Sequence, residues 1–507
     1  MTTIKYLSLS KPERFLVKFL DFFKNFGKGF VNFFKGLPSK FMKLWNKICT
    51  PFRVIGDAWR KGSWGVRTNF LVFGFYQLTH HEIVRGVLYL LYEIVFILFM
   101  IMTGGPYLAK LGSLGTFSTD SAYAANPYGG SPVLVQGGDK SFTILLYSIA
   151  TFILMIIFVA LWYFSIRDAK SLQDNNYVGK FSKDSQFFDD MLNKKYHTLL
   201  LAVPLVGLVG FTVIPVVFMI ITSFTNYNSI QVNLFDWVEF DNYAGLFASK
   251  ATGSSIGIGQ IFLKVLAWTL LWALIATFTN YFLGMVVALL INKKGIKLKK
   301  LWRTVLILTI AVPQFVSLLL INQMLSGSGI LSNLFRQWGW IGAGKETFDN
   351  VLLARIIIII VNMWVGVPYT MLICSGILMN IPEDLYESAR IDGASPFKMF
   401  SSITLPYMLF ITGPYLLSQF IGNINNFNII YLLSQGKPSL GVLNLGYGDV
   451  GETDLLITWI YKMSMEGQVK NYAVACALGV LVFIIIAVFS LIFYGRSGSV
   501  KNEEDFQ

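Results

Sequence analysis

Charge is scarce in this chain: Asp, Glu, Lys and Arg together make up only 14% of its 507 residues. A soluble domain carries closer to a quarter, because its surface must be solvated, so a water-soluble enzyme is excluded. Cysteine and histidine are rarer still, three of each. Cys49, Cys374 and Cys476 lie far apart with no CxxC spacing, which leaves no disulfide framework and no thiolate metal site. Two of them fall within apolar runs and are expected to pack as small hydrophobes. His80, His81 and His197 flank apolar runs and share no metal-ligand spacing. A nucleotide site is missing too. Gly339 to Glu346 approaches the phosphate-cradling pattern G-x-x-x-x-G-K-[ST]. Glu346, however, stands where a hydroxyl must hold Mg²⁺, and its carboxylate would repel phosphate. No acidic dyad or His/Asp pair suited to a membrane glycosyltransferase or acyltransferase stands out, since Asp189 and Asp190 sit in a charged linker. Neither inverted repeats nor the intramembrane charge network of a secondary sugar transporter are visible.

What is present in abundance is apolar sequence, 54% of the residues. It falls into eight runs, at roughly 86–104, 142–164, 198–222, 265–292, 304–325, 351–378, 407–427 and 471–494. Each is about as long as a hydrocarbon layer about 30 Å thick requires. The net charge of +13 is not gathered on a soluble domain for nucleic acid. Its residues lie beside the apolar runs, where they act as orientation signals. Arg167, Lys170, Lys180, Lys183, Lys194 and Lys195 fill the 165–196 loop, and Lys293, Lys294, Lys297, Lys299, Lys300 and Arg303 the 293–303 loop. The alternating loops 105–141, 223–264, 326–350 and 428–470 are poor in basic residues. Both termini are therefore expected in the cytoplasm of a bacterial cell, with the chain in the cytoplasmic membrane. The fold class is an all-α polytopic membrane protein. It divides into a basic amphipathic arm at 1–85, three helices at 86–222, an outer loop at 223–264, a core at 265–494 and a cytoplasmic tail at 495–507.

Within the arm, Phe15, Phe19, Phe22, Phe26, Phe30, Phe33 and Leu37 recur every three or four residues, with Lys18, Lys24, Lys28 and Lys35 on the remaining arc. That is a basic amphipathic helix suited to an anionic lipid surface rather than a cleavable signal peptide. The alternative is an arm that docks a partner.

Few ionisable residues fall inside the runs. Glu93 is expected to hydrogen-bond a neighbouring span, and Arg355 to snorkel from the end of its own. Neutral polar residues are more telling. Gln314 follows Pro313; Asn362, Gly366 and Tyr369 share the sixth run; Asn423, Asn425, Asn426 and Asn428 crowd the end of the seventh, beside Gly422. An unpaired buried amide costs roughly 2–7 kcal/mol, so these groups must meet each other, water or a ligand. Amides suit sugar hydroxyls, and the lack of a charged cluster argues for a neutral substrate. Interhelical hydrogen bonding is the competing explanation for any one of them. The segment Leu455 to Tyr461 is apolar and aromatic, and is expected along the outer surface or dipping into a vestibule.

One polar segment, Asp384 to Pro406, separates two apolar runs. Pro382 suits a helix start, Glu383, Asp384 and Glu387 suit its positive end, and Gly393 permits a sharp turn. Pro396 and Pro406 can open the next two helices. The positions Glu387-Ser388-Ala389, Asp392-Gly393-Ala394 and Ile403-Thr404-Leu405-Pro406 resemble the E-A-A, D-G-A and I-x-L-P signature of binding-protein-dependent ABC importer permeases, with only Ser388 departing. The resemblance implies the MetI-like permease core. In that family this knob docks into a cytosolic ATPase. Glu387 would pair with a basic residue there, Gly393 would set the bend, and Ala389, Asp392, Ala394, Leu405 and Pro406 complete the coupling surface at 379–406.

From about Trp302 to Leu433 the resemblance narrows to maltose/maltodextrin permeases. The matching runs are Ala311 to Pro313, Asn362 to Tyr369, Asp384 to Pro406, and Asn423 to Phe427 with Ile430 to Leu433. It implies a sugar site at mid-membrane using Asn362, Val365, Gly366, Gly422, Asn423 and Asn426, with Gln314 at a further contact position. Family Tyr, Ser and Phe contacts read Ile310, Gln314 and Gly422 here, which leaves another neutral oligosaccharide or glycoside as the alternative substrate. The implied partners are a second permease subunit in a heterodimer, two cytosolic ATP-binding subunits and an extracytoplasmic sugar-binding protein. No cofactor, metal or enzymatic activity is implied for the chain itself.

Overall fold

The computed structural model describes residues 50–116, 122–124, 133–135, 139–179, 184–194, 196–248, 258–293, 295–441, 448–466 and 469–496. The Phe-rich stretch of the arm, Cys49 and residues 497–507 of the tail lie outside them. Among the described residues seven helices are long and apolar enough to cross a bilayer, and a pair of helices meeting at 84° makes an eighth crossing when counted as one broken span. The crossings comprise α1 (Ile83–Phe99, prolonged through a π turn to Ala109), α2 (Ser141–Tyr177) and α3 (Tyr196–Leu208, prolonged to Thr222). They continue with α4 (Ile258–Asn292), the bent pair α5 (Lys299–Ala311) and α6 (Gln314–Leu325), and α7 (Val351–Leu378). The knob helix α8 (Glu383–Ile391) leads to α9 (Leu405–Ile424); α10 (Leu456–Met465) and α11 (Tyr472–Arg496) end the described chain.

One local departure from the sequence expectation has a plain cause. The single span expected at 304–325 is broken. Pro313 has no N–H to donate, and its ring pushes the preceding residue out of the helical region; Val312 is extended, with φ −79° and ψ 126°. The all-α architecture carries one small addition. Ala122–Ala124 (β1) and Val133–Val135 (β2) pair antiparallel.

One compact unit comprises the described residues up to Ala109 together with Tyr147–Phe211. Ala58, Val66, Tyr76, Ile166, Ala169 and Leu172 make its core. A buried polar knot ties residues 69–77 to α2. Asn69 Nδ2 donates to Gln77 Oε1 and to the Ser165 carbonyl and hydroxyl, each at 3.0 Å, while the Tyr76 N–H donates to Asn69 Oδ1 at 2.7 Å. Gln77 Nε2 donates to the Ser165 carbonyl at 3.0 Å. Glu93 accepts from the Phe73 N–H at 2.8 Å. Its partner is thus the backbone of the segment preceding α1, not a neighbouring span.

The second unit comprises Lys110–Leu146 and the described residues from Thr212 onward. Its spine is α4. Buried residues recur on α4 at Ile261, Val265, Trp268, Trp272, Ala276, Asn280, Gly284 and Ala288, every three or four positions, so one face is turned inward along its whole length. Three clusters follow one another down that face. The first joins Ile258, Phe262 and Val265 to α10 and α11 through Trp459, Met463 and Leu478. The second joins Trp272 and Ala276 to Ile358 of α7, and the third joins Tyr281 and Met285 to Met371 and Met408. In lipid the apolar contacts gain little over lipid tails, so close packing and interhelical hydrogen bonds hold such helices.

The 428–470 segment is built into this core rather than lying on it, with Leu456, Trp459 and Met463 of α10 buried. Asp454 is buried with Lys462, Nζ to Oδ2 being 2.7 Å. The Gly451 N–H and the Thr458 hydroxyl also donate to it, each at 2.8 Å. Burial pushes the Asp454 carboxyl above its ordinary range, while Lys462 pulls the other way. Arg355 does more than snorkel: it donates to the Glu452 carbonyl at 2.9 Å and to Oε2 at 3.2 Å, and stacks over Trp268. Glu346 pairs with Lys437 at 2.8 Å, an ion pair where a nucleotide loop would need a hydroxyl.

Candidate functional site

Within α4 and α7 and at the end of α9 lie buried amides that form a belt. Asn423, 6% exposed near the end of α9, is clamped by α4. Its Nδ2 donates to Thr277 Oγ1 at 3.0 Å, and Trp272 Nε1 donates to its carbonyl at 3.1 Å. Asn426 follows at the helix end. It donates to Asn423 Oδ1 at 3.5 Å and caps the short turn 427–429 through its side chain. The structure therefore brings Asn423 and Asn426 together but gives Asn423 an interhelical role of its own. Gly422 is exposed, and a Cβ there would meet nothing within 4 Å. Asn425 and Asn428 are also exposed.

On α7, Asn362 is 3% exposed and its Nδ2 has no hydrogen-bond partner. Gly366 stands one turn later on the same face. A side chain there would overlap the carboxamide of Asn280 on α4, so glycine at 366 makes room for a neighbouring helix. Asn280 is 8% exposed, and its Oδ1 likewise lacks a partner. Val365 is half-buried and Tyr369 half-exposed. Gln314 is half-buried at the first position of α6, just past the break. Among the described residues, no side-chain hydrogen bond joins Gln314 to the other belt residues.

Sequence reasoning placed the belt on α7 and α9 but missed α4. Asn280 is the only amide between Val265 and Ile291, and it falls on the period of Trp268, Trp272 and Ala276. That pattern was sufficient to mark it. Thr277 and Trp272 carried no comparable signal, since Thr and Trp are common in apolar spans.

The knob 383–404 is a different kind of surface. Pro382 occupies the cap position before α8 rather than the first helical position, with Glu383 and Asp384 in the first turn and Arg390 in the last. Gly393 has φ +73°, a conformation strained for any side chain. The turn is closed by the Ala394 N–H donating to the Ala389 carbonyl at 2.9 Å and the Asp392 N–H to the Ser388 carbonyl at 3.0 Å. Ser395 caps the short helix Pro396–Met399, and a π turn then leads into α9, where Leu405 and Pro406 form the first turn. Tyr386 Oη bonds Thr404 Oγ1 at 2.8 Å, tying α8 to the root of α9. Glu387, Asp392 and Gly393 are exposed, as are Leu385, Ile391 and Phe397, while Ala389 and Ala394 are half-buried. Ile391 and Phe397 expose their apolar side chains, at 87% and 78%, more than a solvated surface needs.

Comparison with known proteins agrees with this anatomy. A family model described as "Binding-protein-dependent transport system inner membrane component" matches residues 280–496. The galactooligosaccharides transport system permease protein GanP of Bacillus subtilis (strain 168) is 32% identical over 370 residues, 72% of this chain and 85% of that one. The maltodextrin transport system permease protein MdxF of the same organism is 30% identical over 447 residues, 86% of this chain and 95% of that one. The maltose/maltodextrin permease protein MalF of Escherichia coli (strain K12) is 36% identical over 243 residues, 46% of this chain and 45% of that one. The chain belongs to the binding-protein-dependent ABC importer permeases, multi-pass membrane subunits that work with a substrate-binding protein and leave ATP hydrolysis to partner subunits.

Proposed function

We propose that this chain forms half of the pore of an importer for neutral oligosaccharides of the maltodextrin type. The observation that carries the reading is the belt itself. Asn280, Asn362 and Asn423 are buried on three packed helices, and no residue of 265–291, 356–378 or 405–424 is charged. Amides without charges are the chemistry of hydroxyl recognition. The relatives transport maltodextrin or galactooligosaccharides by their names, which supports the same class for this chain.

In this reading a binding protein delivers sugar from outside, and two ATP-binding subunits close on each other and on the knob. The exposed faces of Glu387, Asp392, Ile391 and Phe397 meet the ATPase. Ala389 and Ala394 keep the turn tight, and Gly393 keeps the bend. Motion passes through Leu405 and Pro406 into α9, so that Gly422, Asn423 and Asn426 shift relative to Gln314, Asn362, Val365 and Gly366. The pore alternates between outward and inward access. A second, different permease completes it, and both termini face the cytoplasm.

The test is uptake by the assembled transporter in cells, with maltotriose and galactotriose as parallel substrates. Uptake of maltotriose supports the maltodextrin reading. Uptake of galactotriose alone moves the substrate to the galactooligosaccharide class, the reading favoured by the match to GanP. Glu387→Ala and Gly393→Val should each lower uptake at least tenfold with membrane levels unchanged. Wild-type uptake rates in both variants would refute the coupling assignment.

A further inference from the structure

We propose that Asn280 of α4 determines sugar specificity by bracketing one substrate hydroxyl together with Asn362 of α7. The proposal rests on the oligosaccharide reading above and adds to it a third helix and a residue in direct contact with sugar.

The two amides are complementary in what they lack. Asn280 Oδ1 is a buried acceptor without a donor, and Asn362 Nδ2 is a buried donor without an acceptor. Both side chains are more than nine-tenths buried. A buried polar atom left unpaired is costly, so each needs a partner in some working state of the protein. The contact at Gly366 fixes their relation. Asn280 packs its carboxamide against the Gly366 backbone, and Asn362 lies one turn earlier on the same face, about 6 Å along the axis. A hydroxyl donates one hydrogen bond and accepts another. With each bond about 2.8 Å long and the two meeting at a roughly tetrahedral oxygen, one hydroxyl bridges amide atoms about 4.6 Å apart, a span that side chains on adjacent turns can present. A sugar hydroxyl donating to Asn280 Oδ1 and accepting from Asn362 Nδ2 would satisfy both atoms at once.

Neighbouring groups are already committed elsewhere. Thr277 holds Asn423 at 3.0 Å, Tyr281 Oη bonds Thr412 at 2.7 Å, and Thr370 bonds the Gly366 carbonyl and Tyr415, each at 3.2 Å. Gly366 is thus the position that lets Asn280 reach the belt. The close approach sets the Asn280 amide beside the turn of α7 that carries Asn362.

The experiment uses the assembled transporter in proteoliposomes with its binding protein. The probe is whichever of maltotriose or galactotriose the wild type moves, together with the set of analogues each lacking one hydroxyl. The wild type should lose about tenfold or more in kcat/KM on one analogue of the set. Asn280→Leu should lose a similar factor on the parent sugar and treat that analogue and the parent alike. Asn280→Asp, which keeps an oxygen acceptor, should retain the preference. Should the Leu variant fail to insert, Asn280→Ala carries the same expectation. An Asn280→Leu or Asn280→Ala variant that still discriminates the analogue as the wild type does overturns the proposal, because a packing or water-bridging role would change rate or melting temperature and leave selectivity intact. A wild type that moves neither trisaccharide overturns the oligosaccharide reading itself and this inference with it.

Discussion

Asn69 and Asn280 are both buried asparagines, yet they sit in opposite kinds of surroundings. Around Asn69 every amide heteroatom of Asn69 and Gln77 has a partner. Around Asn280 one acceptor is empty, and one turn away along the facing helix so is the donor of Asn362. A closed network specifies one arrangement and resists change. An open one stores an unmet demand that a ligand can fill. Burial alone therefore does not describe a polar residue in this protein; whether its atoms are paired is a separate property.

The contrast can be broken most directly at its closed end. Asn69→Leu strips partners from the Tyr76 N–H, Gln77 Oε1 and Ser165, and should destabilise by about 2–5 kcal/mol in sum. A thermal melt of the purified transporter would show it, and an unchanged melting temperature would erase the distinction. The mirror experiment is Asn362→Leu. It removes an already unpaired donor, so the melting temperature should hold or rise while uptake falls at least tenfold.

Gly366→Ala probes the contact between the two open amides. A Cβ must displace the Asn280 carboxamide, at a cost of about 1–3 kcal/mol. Adding Asn280→Ala should recover most of that loss, since the obstructing group is gone; a double-mutant cycle on melting temperature reads the coupling. Gly422→Phe should leave stability within about 0.5 kcal/mol, as the position opens on empty space. Its effect belongs in the relative uptake of short and long sugars.

The smallest effect lies outside both clusters. Lys110 holds the Asp139 carboxyl below its ordinary range through a hydrogen bond at 2.7 Å. A lowered folded value means the contribution is present above the unfolded value and lost as pH falls through the folded one. Both groups are partly exposed, so salt and water weaken the pair. Asp139→Asn should barely flatten the acid limb of a stability–pH curve.

Much of this was legible in the sequence for identifiable reasons. Span positions follow from apolar length, which the bilayer dictates. The knob follows from Pro396 and Gly393, whose backbone limits act locally. The break at Val312-Pro313 was equally written in the chain, but a length criterion overlooks it because both halves are apolar. Glu93 was misplaced because its acceptor role toward Phe73 depends on how residues 69–77 fold back, a tertiary fact. The importance of Asn280 was hidden for a similar reason: an unpaired oxygen exists only once the neighbouring helices are in place.

The bend between α5 and α6 acts as a compass. Where a helix stops at Ala311 and another starts at Gln314, the last carbonyls of the first have no following N–H groups to accept from. Hydrocarbon cannot supply a donor, so such a backbone must face water or other protein at membrane depth. Ile310, Val312 and Pro313 are exposed on this chain. The side of the molecule bearing residues 310–313 is therefore the side that lipid does not touch. A lipid-soluble photolabel should skip these residues and mark Leu205 and Phe211 of the α3 crossing instead.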